Sequence, residues 1–283
     1  MFSKKDIERY YDLSEIHYRV HWNLEKSRSL HYGYWDSTTK NFHEALLNIN
    51  KIIAQHAGIT KDHVALDAGC GVGGSAIWMA KNIGCKVTGI SLSERQIALA
   101  TASAEKEKVE QLVTFLRKDY TVTGFADNSF DVIWAIESVC YVKDKSEFLG
   151  EANRILKPGG RLVVVDIFKN ENAEGKDAEW LRKLAHGWAI EEHSSREKFE
   201  QELRHNGFNI LEIENASGAI MPSVKRLYTA YYLGWLPTKI YNLFHPNATE
   251  LAKRNVDTAY YQYKTLKKDL WKYLIFSAEK SLP

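Results

Sequence analysis

Cysteine is scarce in this chain. Cys70, Cys85 and Cys140 are the only three, and no two form a C-x-x-C pair, so neither a disulfide framework nor a zinc site is encoded, and no metal is expected. Net charge is nearly absent as well. A balance of +2 over 283 residues leaves no electrostatic footprint for nucleic acid, and no nucleic-acid partner is expected. No uncharged apolar run approaches the ~20 residues that span a bilayer. The opening Ser3-Lys-Lys-Asp6 does not have the pattern of a secretory signal. Internal repeats and low-complexity segments are missing too. These absences lead to the expectation of a soluble, cytoplasmic protein, long enough for one large core or one core with an elaborated cap. What the chain does have is aromatic rings: eight Trp, fifteen Tyr and eleven Phe.

The organising stretch is Val64-Ala-Leu-Asp-Ala-Gly-Cys-Gly-Val-Gly-Gly-Ser-Ala-Ile-Trp-Met-Ala80. Val64–Leu66 reads as a strand buried in a parallel sheet, followed by a glycine turn and a helix opening at Ser75. Glycines let a ligand approach the main chain, and a helix start offers unpaired N–H groups. Further strands are expected at Lys86–Ile90, Leu112–Leu116, Phe130–Trp134 and Arg161–Asp166, with helices over Phe42–His56, Glu94–Lys108 (Ser93 as N-cap) and Lys145–Leu156. Residues 4–25 read as one or two helices, and Lys157-Pro-Gly-Gly160 as a turn. This alternation predicts an α/β fold with a doubly wound, mostly parallel sheet, whose ligands gather at the carboxyl ends of the strands. Asp67, Ser91, Asp119 and Glu137 all fall at such ends.

The second half reads differently. A helix over Ser195–Gly207 precedes a strand at Phe208–Ile213, and Trp271–Ala278 is the last strand. A short hairpin would suffice to join those two strands, so the aromatic segment between them is expected to be a helical cap. The boundaries predicted are 1–56 for N-terminal helices and a lid, 57–214 for the α/β core, 215–270 for the cap and 271–283 for the final strand and tail.

Asp67-x-Gly69-Cys-Gly71-x-Gly73-Gly74 resembles the first motif of class I S-adenosylmethionine-dependent methyltransferases. An acid two residues before the glycines would repel a dinucleotide pyrophosphate but suits the ammonium of a methionine. Phe125–Asp131 and Leu156-Lys-Pro-Gly-Gly160 are similar to further motifs of that class. Trp134-Ala-Ile-Glu-Ser138, with the insertion before the last strand, resembles a narrower branch holding gamma-tocopherol methyltransferases, sterol C-methyltransferases and cyclopropane fatty acid synthases. The resemblance implies a seven-stranded Rossmann-like sheet and S-adenosylmethionine as cofactor. It also implies a lid at Leu30-His-Tyr-Gly-Tyr-Trp35, with His31 and Tyr32 over the sulfonium and Tyr34 toward the acceptor. Asp67, Gly69 and Gly71 would hold the methionine end, Asp119 and Tyr120 the adenine. Ser91, Leu92 and Gln96 stand in for the ribose-binding acid that many class I enzymes place after the second strand.

Methyl transfer is an in-line displacement at carbon, so the protein mainly positions the acceptor and shapes the local field. Glu137, leaving the fourth strand at the ligand edge, is the candidate group beside the reacting centre and the acceptor. The alternative is an idle carboxylate at a helix start. His193, in the cluster Glu191-Glu192-His193, is a second catalytic candidate, beside the reading of a solvated turn. Tyr228, Tyr231, Tyr232 and Trp235 of the cap are candidates for an apolar acceptor wall. Lys225, Arg226, Lys239, Lys253 and Arg254 give the cap a basic side that suits a phosphate or an anionic membrane surface. The expected partner is a lipophilic small molecule, methylated on carbon of a prenyl-type or sterol-like skeleton. A nitrogen or oxygen acceptor is the alternative, an NAD-dependent oxidoreductase or a non-catalytic nucleotide-binding protein the remoter ones, and oligomeric state is left open.

Overall fold

The computed structural model describes residues 2–10, 24–244 and 250–282, with the side chains of Glu25 and of 233–256 excepted. Expectations that fall on 11–23, and those on the side chains of Trp235, Lys239, Lys253 and Arg254, lie outside the described residues.

Strands that read as unbroken apolar runs need cover on both faces, and helices supply it. β1 (Val64–Ala68), β2 (Lys86–Ser91), β3 (Val113–Arg117), β4 (Phe130–Ile136) and β5 (Leu156–Lys169) pair in parallel, and β6 (Phe208–Asn215) and β7 (Trp271–Lys280) complete the sheet. The order is β3-β2-β1-β4-β5-β7-β6, with β7 antiparallel to both neighbours. This is the seven-stranded, doubly wound sheet that the sequence predicts. Alternation sends Ala65, Val87 and Val132 to one face, under α3 (Phe42–Ala57), α4 (Gly74–Ile83) and α5 (Glu94–Glu107). Leu66, Ile133 and Val164 go to the other, against Phe148 and Leu149 of α6 (Lys145–Ile155) and Phe199 and Leu203 of α8 (Arg196–His205). Strand order reverses beside β1, and the crevice opens there.

Before α3 come two helical pieces, α1 (4–10) and α2 (Leu24–Ser27). Ser93 caps α5 as expected, accepting from Gln96 N at 3.2 Å. The Lys157–Gly160 turn does not stand apart but lies inside β5, where the pairing with β4 shifts register after Phe130. One helix has no counterpart in the sequence reading: α7 (Gly175–Gly187), which buries Leu181, Leu184 and Ala185.

Between the antiparallel neighbours β6 and β7 stand α9 (Ser217–Phe244) and α10 (Glu250–Lys267), the expected helical insertion. Its roots are tied into the body. Ile220 and Val224 of α9 and Leu266 of α10 are buried with the core, and α10 runs against α7. Ser223 Oγ accepts from Gly33 N at 3.2 Å and Trp35 Nε1 at 3.0 Å, so α9 clamps the 30–35 turn. No described helix is long and apolar enough to cross a membrane.

Candidate active site

A cavity of ≈ 260 Å³ opens at the carboxyl ends of β1, β2, β3 and β4. Of the residues singled out from sequence, it gathers His31, Asp67, Gly69, Gly71, Ser91, Leu92, Gln96, Asp119, Tyr120 and Glu137. Parallel register explains the assembly: Asp67 faces Gly89 across β2 and Trp134 across β4, so the three strand ends stop at one level. The turn after β1 is made for glycine. Gly69 has φ +92, and a Cβ there would lie 2.5 Å from Ser138 Cβ. Gly71 has φ +52 and faces Leu30, the first residue of the 30–35 turn.

The residue types fit S-adenosylmethionine. Asp67 is buried, and its Oδ2 has no hydrogen-bond partner among the described residues. Burial pushes its carboxyl up to about 7, which marks a group waiting for a positive partner. Ser91 Oγ donates to Gln96 Oε1 at 2.7 Å, forming a hydroxyl–amide pair of the size a sugar diol needs. Tyr120 donates to Ser138 O at 2.7 Å and sets its ring against Phe148. His31 contacts Tyr32 O through Nδ1 at 2.8 Å, and burial lowers its pKa to about 4, so the imidazole adds no positive charge to the cavity it lines.

Glu137 sits just past β4 with its backbone in the left-handed region, φ +47, locked by a 2.7 Å bond from its N to Val165 O. Its Oε1 accepts from Tyr32 N at 2.8 Å and from the Tyr273 hydroxyl at 2.7 Å. Burial pushes this carboxyl up to about 8 against those two donors, and the neighbouring Asp166 adds to the push. Asp166 is itself buried and raised to about 6, with Oδ2 accepting from Cys140 N at 2.8 Å.

Four residues lining the cavity carry no sequence signal: Phe2, Lys4, Ile7 and Glu8 on and before α1. The Lys4 ammonium pairs with Asp119 Oδ2, while Thr121 N donates to Asp119 Oδ1 at 2.9 Å. A lysine in a polar helix looks like any solvated charge, so only the fold could place it. Tyr273 was likewise hidden inside an ordinary apolar strand.

Other expected site residues are placed elsewhere. Tyr32 is buried beside the cavity rather than lining it, its ring amid Trp188, Trp271 and Tyr273 and its hydroxyl on Gln262 Oε1. Tyr34 turns away and donates to Glu214 on β6 at 2.8 Å. Tyr228 and Tyr231 do not line the cavity but pack half-buried on Tyr260 of α10, and Tyr232, 57% exposed, packs on those two rings. Helical spacing paired them with α10, which the sequence alone could not orient. Lys225 and Arg226 are exposed, the latter over the Phe42 ring. His193 belongs to a second cavity of ≈ 550 Å³ between the end of β5 and α7. Among the described residues both of its ring nitrogens are buried without hydrogen bonds, and burial lowers its pKa to about 3, so it is neutral and does not line Glu137's cavity. Of its neighbours, Glu191 accepts from Phe2 N at 3.3 Å and Glu192 pairs with Lys169.

Comparison with known proteins agrees with this geometry. Residues 66–164 match the family model described as a methyltransferase domain. The chain is 33% identical over 195 residues to 27-O-demethylrifamycin SV methyltransferase of Amycolatopsis mediterranei, covering 69% of this chain and 72% of that protein. It is 31% identical to a sterol 24-C-methyltransferase of Neurospora crassa over 63% of this chain, but spans only 47% of that enzyme. Among solved structures, the geranyl diphosphate C-methyltransferase of Streptomyces coelicolor, in complex with Mg2+, geranyl diphosphate and S-adenosyl-L-homocysteine, superimposes with a TM-score of 0.76. That match covers 98% of this chain and 97% of the other at 18% identity, which is a likeness of fold. The chain belongs to the class I methyltransferases, the family whose cofactor is S-adenosylmethionine.

Proposed function

We propose that this protein methylates carbon in a lipophilic acceptor of prenyl or sterol type. The observation that carries the reading is Glu137: a carboxylate lining the cofactor cavity, gripped through one oxygen by Tyr273 and the Tyr32 N–H. In this reading Asp67 receives the methionine ammonium, with Gly69 and Gly71 along its path. Ser91, Leu92 and Gln96 take the ribose, and Asp119 exchanges Lys4 for the adenine amino group, beside Tyr120. His31 closes the cavity from the lid side. The bound cofactor supplies an electrophilic methyl on a sulfonium, and its sulfur keeps the electron pair when the S–C bond breaks. As the acceptor's double bond attacks, Glu137 stabilises the positive charge that builds on the skeleton. It then takes the proton from the neighbouring carbon and ends as a neutral acid. A nearby sulfonium lowers the pKa of Glu137, so that loading the site also charges the base.

Tyr32, whose N–H bonds Glu137, is itself packed among the rings of Trp188, Trp271 and Tyr273, so the carboxylate is backed by an apolar cluster, a setting that supports an apolar acceptor. The similarity to a sterol 24-C-methyltransferase, and the likeness of fold to a geranyl diphosphate C-methyltransferase, support carbon as the acceptor atom. The second reading, transfer to oxygen, is supported by the name of the rifamycin relative, which this chain matches over 72% of its length. There Glu137 would take a hydroxyl proton instead. Incubation with methyl-labelled S-adenosylmethionine and fractionated cell lipids tests both. A product whose label survives ether cleavage and sits on carbon is expected; label released as a methyl ether would overturn the carbon assignment.

A further inference from the structure

Glu137 is gripped from one side only. Both of its hydrogen bonds fall on Oε1, leaving Oε2 without a partner among the described residues. One donor is the Tyr273 hydroxyl, from the middle of the sheet's antiparallel pair, where Tyr273 lies opposite Ile167 of β5. That side chain is fully buried, and burial together with the Glu137 charge keeps its phenol well above 10, so it remains a proton donor. The other donor is the backbone of Tyr32, whose hydroxyl reaches Gln262 on α10. Gln262 is also buried, and among the described residues its Nε2 makes no hydrogen bond, so within that set the side-chain amide is held through its grip on Tyr32.

We propose that Tyr273 is a positioning residue for Glu137, pinning Oε1 so that Oε2 is presented to the cavity, and that Gln262, through Tyr32, makes the same grip depend on the docking of the cap. This rests on the reading of Glu137 as the reacting carboxylate and says how that carboxylate is made ready. The groups facing Glu137 are Asp166 from β5, Cys140 from the turn after β4, Tyr32 from the lid and Tyr273 from β7, with Tyr10 of α1 behind Tyr32. Lys145 lies beyond Asp166, bonded to the carbonyls of Val139, Cys140 and Val142, and its charge acts on Asp166 and Cys140. Asp166 and burial both oppose ionisation of Glu137; Tyr273 and the Tyr32 N–H are the groups that favour it.

An infrared titration of the chain with S-adenosylhomocysteine tests this without an acceptor. The carbonyl stretch of protonated Glu137 is identified by its loss in Glu137→Gln, and its midpoint is followed with pH. Tyr273→Phe keeps the ring and removes one charge-assisted bond, so the midpoint should rise by about one to two pH units. Gln262→Leu should raise it by less. 3-Fluorotyrosine at 273, a stronger donor, should lower it, a direction no packing lesion produces. Superimposable titrations in all three would overturn the proposal. A midpoint that moves while Glu137→Gln keeps full turnover leaves the positioning intact and overturns the catalytic reading instead.

Discussion

The cofactor cavity has two walls of different origin. One is made of strand ends: Asp67, Ser91, Asp119 and Glu137 at the edge of β1, β2, β3 and β4. The other is a covering of helix and turn: Phe2, Lys4, Ile7 and Glu8 with Arg28, Leu30 and His31. Strand ends are aligned by register, so a residue's place in the sequence fixes its place in the site. The covering is placed by whatever it meets. Lys4 is there because Asp119 is, and Arg28 is there because it reaches Glu107 on α5 at 2.6 Å. The strand wall should therefore carry the chemistry and the larger energies, and the covering should modulate access.

The strongest way to break that contrast is Glu137→Gln. If the charge at this strand end serves the transition state, turnover should fall by about 2–4 kcal/mol of barrier, roughly thirty- to a thousandfold, with cofactor affinity nearly unchanged. Radiometric turnover beside calorimetry of S-adenosylmethionine reads both, and full turnover would remove the strand wall's claim to the chemistry. Next comes Asp67→Asn, which keeps shape and loses the charge. Calorimetry should show the cofactor weakened by about 1.5–3 kcal/mol, the scale of a hydrogen bond to a charged group. Affinity within twofold of the parent would place the ammonium elsewhere.

The same carboxylate sharpens the contrast through pH. Folding raises Asp67 from its ordinary 3.8 to about 7, and Glu137 from 4.5 to about 8, so the folded chain holds these protons more tightly than the unfolded one. Their stabilising contribution is complete below about pH 4 and is lost as pH climbs through 7 and 8. The Tm of the cofactor-free protein should accordingly decline between about pH 5.5 and 7.5, and the rise produced by S-adenosylmethionine should be larger at the upper end. Equal rises at both would mean that Asp67 is not where the ammonium binds. The smallest effect belongs to the covering. Lys4 is mostly exposed, its side chain 63% accessible, and such pairs contribute between nothing and about 1 kcal/mol. Lys4→Ala should tighten S-adenosylmethionine by no more than about fivefold, since the adenine amino group no longer displaces an ammonium. Weaker binding would recast Lys4 as a cofactor contact.

The same division governs what could be read from the sequence. The sheet was legible because apolar runs and glycine punctuation repeat with a strand's length, and ten of the residues named for the site do line one cavity. What escaped was set by tertiary contact. The stripe Leu181, Leu184, Ala185 of α7 is short and sits in a segment dense with charge. Tyr228, Tyr231 and Tyr232 carry the right chemistry for an acceptor wall, but helical periodicity does not say which side of a helical pair meets the sheet, and here Tyr228 and Tyr231 meet α10 while Tyr232 is exposed. His193 beside two acids reads as a catalytic candidate or as part of a solvated turn; the chain instead buries its ring, with no hydrogen bond among the described residues.

The left-handed backbone at Glu137 has a consequence for how this protein can change over time. An L-residue other than glycine, or to a lesser degree asparagine, costs about 1 kcal/mol or more in that conformation, and a carboxyl raised to about 8 adds the penalty of an unwilling charge. Glycine at 137 would relieve both at once and, on the proposal that Glu137 is the reacting carboxylate, would yield a sturdier molecule with an empty reaction centre. Glu137 is thus a place where drift toward robustness and retention of activity pull in opposite directions. Screens that select for heat resistance alone should find this position early, and each winner there should be inert.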